Sequence, residues 1–120
     1  MKLYKIFCYG TLKRGGHFHK QYLSGSTFLG ECETSDNYSL YIGRWPFLIE
    51  EKSDKPVKGE LYEVTDAILT ALDYLEGSPD FYKRKKIEIS GEQDVWGYIF
   101  PKDGLDLGKL RKEYNYDLCV

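Results

Sequence analysis

The chain has three cysteines, Cys8, Cys32 and Cys119, widely separated and without a CxxC pair. Neither a zinc site nor a disulfide framework is indicated. No apolar run approaches the roughly 20 residues that span a bilayer. The opening Met1-Lys2-Leu3-Tyr4-Lys5-Ile6 lacks the apolar core of a signal peptide, so the expectation is a cytoplasmic protein with no membrane partner. Positive charge is not in excess either, with 17 Lys and Arg against 19 Asp and Glu for a net charge of -2. A duplex-binding protein is expected to be basic overall or along one face, so no nucleic-acid partner is expected. Prolines number only four, and no linker or low-complexity tract interrupts the chain. What the 120 residues do contain is 42% hydrophobic and 16% aromatic. That suffices for one core, and residues 1–120 read as a single domain.

Residues 3–9 are rich in strand formers, and Gly10 ends them. Gly10-Thr11-Leu12-Lys13-Arg14-Gly15-Gly16 reads as a loop, and residues 17–23 have room for one short helical turn. Strands are expected over 27–33, 38–42, 57–64, 82–90 and 95–100, with Gly59 marking a bulge or a close backbone approach. The one convincing helix covers 66–76, capped by Thr65 or Asp66 and ended by Gly77. The tail 103–120 reads as loop with at most a turn of helix. About six strands and one main helix make an α+β fold. Strands this short under one covering helix favour a small mixed β-barrel or a strongly bent sheet.

The helix carries an anomaly. With Ile68 at zero and about 100° per residue, Leu72 falls near 40°, Glu76 near 80°, Leu69 near 100° and Leu75 near 340°. Glu76 therefore lies within the apolar arc. A carboxylate directed into a core or pocket wall has its pKa raised, and the negative end of the helix dipole acts in the same direction. Such a group exchanges protons near neutrality, as a general acid/base must. The plainer readings are a frayed last turn with Glu76 in solvent, or an ion pair with Arg84 or a nearby lysine. The helical wheel does not separate them.

Other features have two readings as well. The glycine after the first strand allows backbone N–H groups to form an anion-binding concavity beside Lys13 and Arg14; the spacing by itself favours an ordinary turn with solvated basic residues. Neither GxxxxGK[ST] nor GxGxxG is present. His17 and His19 lack a third ligand, so no metal is expected. Lys83-Arg84-Lys85-Lys86 reads as a solvated strand edge protected from aggregation by its charges. Cys8 reads as a small core hydrophobe. Tyr82 either directs its hydroxyl into a cavity or is a half-buried strand aromatic.

Taken together, two of these segments resemble a known family. Ile6-Phe7-Cys8-Tyr9-Gly10-Thr11-Leu12-Lys13-Arg14-Gly15 resembles the N-terminal signature of the gamma-glutamylcyclotransferase-like proteins, in particular the gamma-glutamylamine cyclotransferase branch. Val57-Lys58-Gly59-Glu60-Leu61-Tyr62 is similar to the family's central strand. Leu72-Asp73-Tyr74-Leu75-Glu76-Gly77-Ser78-Pro79-Asp80-Phe81-Tyr82-Lys83-Arg84 resembles its block containing the catalytic glutamate. The likeness runs in order over residues 4–100. It implies a compact mixed β-barrel in which Glu76 is the acid/base and Tyr9, Gly10, Thr11 and Leu12 form the binding loop of one cavity. The implied substrate is a small γ-glutamyl compound, cyclised to 5-oxoproline without a cofactor.

Overall fold

The computed structural model describes residues 2–115 apart from Thr11, Arg14, Gly15, His17, Phe18 and Pro79. In chain order its elements are β1 (Leu3–Cys8), α1 (His19–Leu23), β2 (Thr27–Glu33), β3 (Ser39–Ile42) and β4 (Pro46–Ile49). These are followed by β5 (Lys58–Thr65), α2 (Asp66–Glu76), β6 (Lys83–Ile87), β7 (Val95–Ile99) and β8 (Arg111–Glu113). The α+β class is as expected, but the strands do not close into a single barrel. They form a five-stranded sheet, ordered β2-β5-β1-β7-β6, and a three-stranded sheet, ordered β4-β3-β8. Within the larger sheet β1 runs parallel to β7 and antiparallel to β5. No helix among the described residues is long and apolar enough to cross a membrane.

The imperfect alternation of β1 has a physical cause: its second half, from Ile6, is buried on both faces. Ile6 and Cys8 enter a core that includes Leu69 and Leu72 of α2 with Tyr62 and Val64 of β5. Phe7 and Tyr9 point the other way, into a second core with Leu40 and Leu48 of the small sheet. A strand covered on both sides needs apolar residues at successive positions and loses its period-two signature.

Two strands escape the sequence pattern. β4 begins at Pro46, which reads as a breaker, yet proline is tolerated at the first position of a strand. β8 is Arg-Lys-Glu and has no apolar signal; its pairing with Leu40, Tyr41 and Ile42 of β3 defines it. β6 is shorter than the expected 82–90, although an isolated bridge between Thr34 and Ile89 continues its path. As expected of a charged edge, β6 is the last strand of its sheet. Lys85 pairs with Glu50 at 2.7 Å and Lys86 with Asp94 at 3.1 Å.

Gly59 marks a close approach, whereas the irregular register lies on β2, between Phe28 and Gly30. A Cβ at Gly59 would sit 2.6 Å from the Cys8 carbonyl oxygen and 2.5 Å from the Phe7 ring. The backbone oxygen has nowhere to go. Gly59→Ala is therefore expected to lower the unfolding free energy by about 2 kcal/mol in urea melts. Gly25→Ala, whose new methyl would meet only Ile68 at 3.8 Å, should change it little.

Candidate active site

Three segments converge around Pro46. On the loop after β1, Gly10 packs so closely that a Cβ there would lie 2.6 Å from Pro46 Cγ. At the start of β6, the Tyr82 hydroxyl donates to the Pro46 carbonyl at 2.7 Å. Pro46 itself opens β4. Tyr9 is buried and donates its hydroxyl to the Tyr98 carbonyl at 2.9 Å. Leu12 is buried, and its carbonyl accepts from His19 Nδ1 at 2.9 Å, which ties the loop to α1. Thr11 and His17 lie outside the described residues.

These segments and the end of α2 enclose a cavity of about 270 Å³. Its lining brings together Tyr9, Gly10, Leu12, Glu76 and Tyr82 from the sequence-derived set. Phe7, Cys8, Trp45, Pro46, Leu75, Phe81 and Tyr98 join them. Cys8 had looked like plain core, and Trp45-Pro46 falls between the expected strands 38–42 and 57–64. The only available signal was the turn Gly43-Arg44 ahead of an aromatic, which does not reveal what that aromatic faces. The tyrosines line the cavity with their rings, while the Tyr9 and Tyr82 hydroxyl protons are engaged by backbone carbonyls.

Glu76 is positioned by a well-terminated helix. The Thr65 side chain accepts from the Ile68 amide at the N-terminus, and Gly77 closes the C-terminus in the left-handed conformation. Leu69 and Leu72 are buried against the sheet, and Glu76, on the same side, lines the cavity. The ion pair entertained for Glu76 does not form. Arg84 Nε instead donates to Asp73 Oδ1 at 2.8 Å, and that same oxygen accepts from the Tyr98 hydroxyl at 2.8 Å. Among the described residues the Glu76 carboxylate has no hydrogen-bond donor and no counter-ion. Burial alone therefore governs it and raises its pKa from 4.5 to about 7. Burial, and after it the Glu76 charge among other groups, holds the Cys8 thiol and the Tyr82 hydroxyl well above their ordinary values.

Residues 6–117 match the family described as gamma-glutamyl cyclotransferase, AIG2-like. The chain belongs to that family. A Methanocaldococcus jannaschii protein provisionally named a gamma-glutamylcyclotransferase is 38% identical over 101 residues, covering 81% of this chain and 84% of the relative. The rat gamma-glutamylaminecyclotransferase is 38% identical over 92 residues, covering 70% of this chain and 62% of the relative. The crystal structure of a mouse AIG2-like protein superimposes with a TM-score of 0.86 at 28% identity, over 98% of this chain and 90% of the mouse chain.

Between about pH 4.5 and about pH 7 the folded chain retains a Glu76 proton that the unfolded chain has released. The contribution of Glu76 to stability therefore falls as pH rises through that window. Glu76→Gln removes the titration. Relative to wild type, its unfolding free energy should gain about 2 kcal/mol between roughly pH 5 and pH 8, with no advantage at the acid end. Parallel urea melts at the two pH values test this.

Proposed function

We propose that the protein is a cyclotransferase that converts a γ-glutamyl amine to 5-oxoproline and a free amine, with Glu76 as general acid/base. The observation that carries this reading is a single carboxylate, without a counter-ion among the described residues and with its pKa raised by burial, in a cavity it shares with Gly10 and Leu12. Family membership supports the reaction class. The name of the rat relative, a gamma-glutamylaminecyclotransferase, supports an amine as the leaving group.

The reaction is an internal aminolysis. The substrate α-nitrogen attacks its own γ-carbonyl carbon; that C–N bond forms as the amide bond to the leaving amine breaks. Nucleophile and electrophile share one molecule, so holding the chain folded supplies much of the rate; effective molarities of well-oriented cyclisations reach about 10⁵–10⁸ M. The α-nitrogen enters as an ammonium and must lose a proton before it can attack. The ionised Glu76 accepts that proton and, as the neutral acid, delivers one to the departing nitrogen. Over the full cycle two protons leave the α-nitrogen and two arrive on the leaving amine, so the enzyme ends in its starting state. A pKa near 7 suits both directions of transfer. In this reading the backbone of Gly10, Thr11 and Leu12 holds the substrate α-carboxylate and the developing oxyanion. Tyr9 and Tyr82 shape the walls.

Purified protein incubated in turn with γ-glutamyl-ε-lysine, γ-glutamyl alkylamines, γ-glutamyl-alanine and glutathione should release 5-oxoproline from the γ-glutamyl amines, measured by mass spectrometry. Glu76→Gln should lower the rate by roughly 10³-fold or more with the fold intact. Normal activity in that variant would remove Glu76 from the mechanism. In wild type, kcat/KM should fall on the acid side with an apparent pKa of about 7, because the protonated carboxyl cannot act as the base.

A further inference from the structure

The cavity has one charged group, Glu76; its other described lining residues are neutral. Two of them are open to solvent, Phe81 and Trp45, and so form its mouth. Phe81 is fixed there by edge-on contacts with Tyr82 and Phe100, at centroid distances of 5.2 and 4.9 Å. Trp45 differs. The residue is 44% exposed, and its indole makes no ring contact, hydrogen bond or ion pair with another described residue. Its backbone, by contrast, is pinned. The Gly43 amide donates to the Trp45 carbonyl at 3.1 Å, and the next residue, Pro46, accepts the Tyr82 hydroxyl. A large aromatic is thus held at a set point on the rim with its apolar surface uncovered, and covering such surface is favourable.

We infer that Trp45 is the specificity residue for the leaving group: its indole packs along the body of the departing amine and selects apolar chains. This rests on the cyclotransferase reading. With the α-carboxylate of the glutamyl moiety at the Gly10–Leu12 loop and its reacting nitrogens at Glu76, the remainder of the substrate leaves through the mouth. An amine bearing its own carboxylate gains no cation among the described lining residues and meets the Glu76 charge. An alkyl chain meets Trp45, Leu75 and Phe81.

The test compares kcat/KM for γ-glutamyl-n-hexylamine, γ-glutamyl-methylamine and γ-glutamyl-alanine in wild type, Trp45→Ala and Trp45→Phe. The hexyl and methyl compounds are also titrated calorimetrically into Glu76→Gln protein, with and without Trp45→Ala. The expected hexyl-to-methyl ratio in wild type is roughly tenfold or more, falling to about unity in Trp45→Ala and largely kept in Trp45→Phe. The calorimetric preference for the hexyl compound should vanish in the double variant. An unchanged ratio, equal losses on both compounds, or a wild-type preference for γ-glutamyl-alanine overturns the inference. Failure of the cyclotransferase reading has its own signature, no 5-oxoproline from any compound. The calorimetric arm then decides Trp45 alone: a hexyl preference erased by Trp45→Ala upholds the contact, and a preference absent or undiminished refutes it.

Discussion

A carboxylate stays poised near neutrality inside an apolar wall only if nothing beside it neutralises it, and in this fold the nearest candidate cation is held elsewhere. Arg84 is bound through its Nε to Asp73, one turn before Glu76, and its guanidinium lies 4.7 Å from the Trp96 ring centroid. Its amide donates to Ser78 Oγ at 3.3 Å. Asp73 also takes the Tyr98 hydroxyl, so one acidic side chain fastens the end of α2 to β6 and β7 together. The same fastening sets the position of Glu76 and removes its counter-ion. Had Arg84 paired with Glu76 instead of Asp73, the guanidinium would have favoured the ionised carboxylate and lowered its pKa.

The cavity takes its lining from both sheets and the end of α2, and β1 serves both cores through alternate residues. Pro46 is the junction, touched by the Gly10 loop and accepting the Tyr82 hydroxyl. Loop, hairpin and helix end are held by the Pro46 ring against Gly10, by the Tyr9 and Tyr82 hydroxyls on backbone carbonyls, and by Asp73 on Arg84 and Tyr98, and none of these contacts uses the Glu76 carboxylate. A site built on rigid elements in this way requires little reorganisation at the moment of reaction.

Much of this was legible in the residues. The helix 66–76, its Thr65 cap and its Gly77 stop follow from local chemistry, and so does the placement of Glu76 on the apolar arc, because helical periodicity is a property of the segment itself. Strand 27–33 likewise matches. What was not legible depends on distant partners. β8 is a strand only because β3 lies beside it, and Pro46 opens a strand only because β4 packs at the corner of the two sheets. The partner of Arg84 is chosen by the sheet register: Lys83 to Ile87 pair in order with Ile99 to Val95. Trp45 carries no periodic signal at all, since its importance lies in the void it borders.

The most direct test of this account is a carbon-13 NMR titration of the Glu76 side-chain carboxyl, assigned by comparison with Glu76→Gln. A midpoint near 7 is the result expected of an uncompensated, half-buried carboxylate in this wall. A midpoint near 4.5, the ordinary value, would place Glu76 in solvent or beside a cation and would contradict the account at its centre.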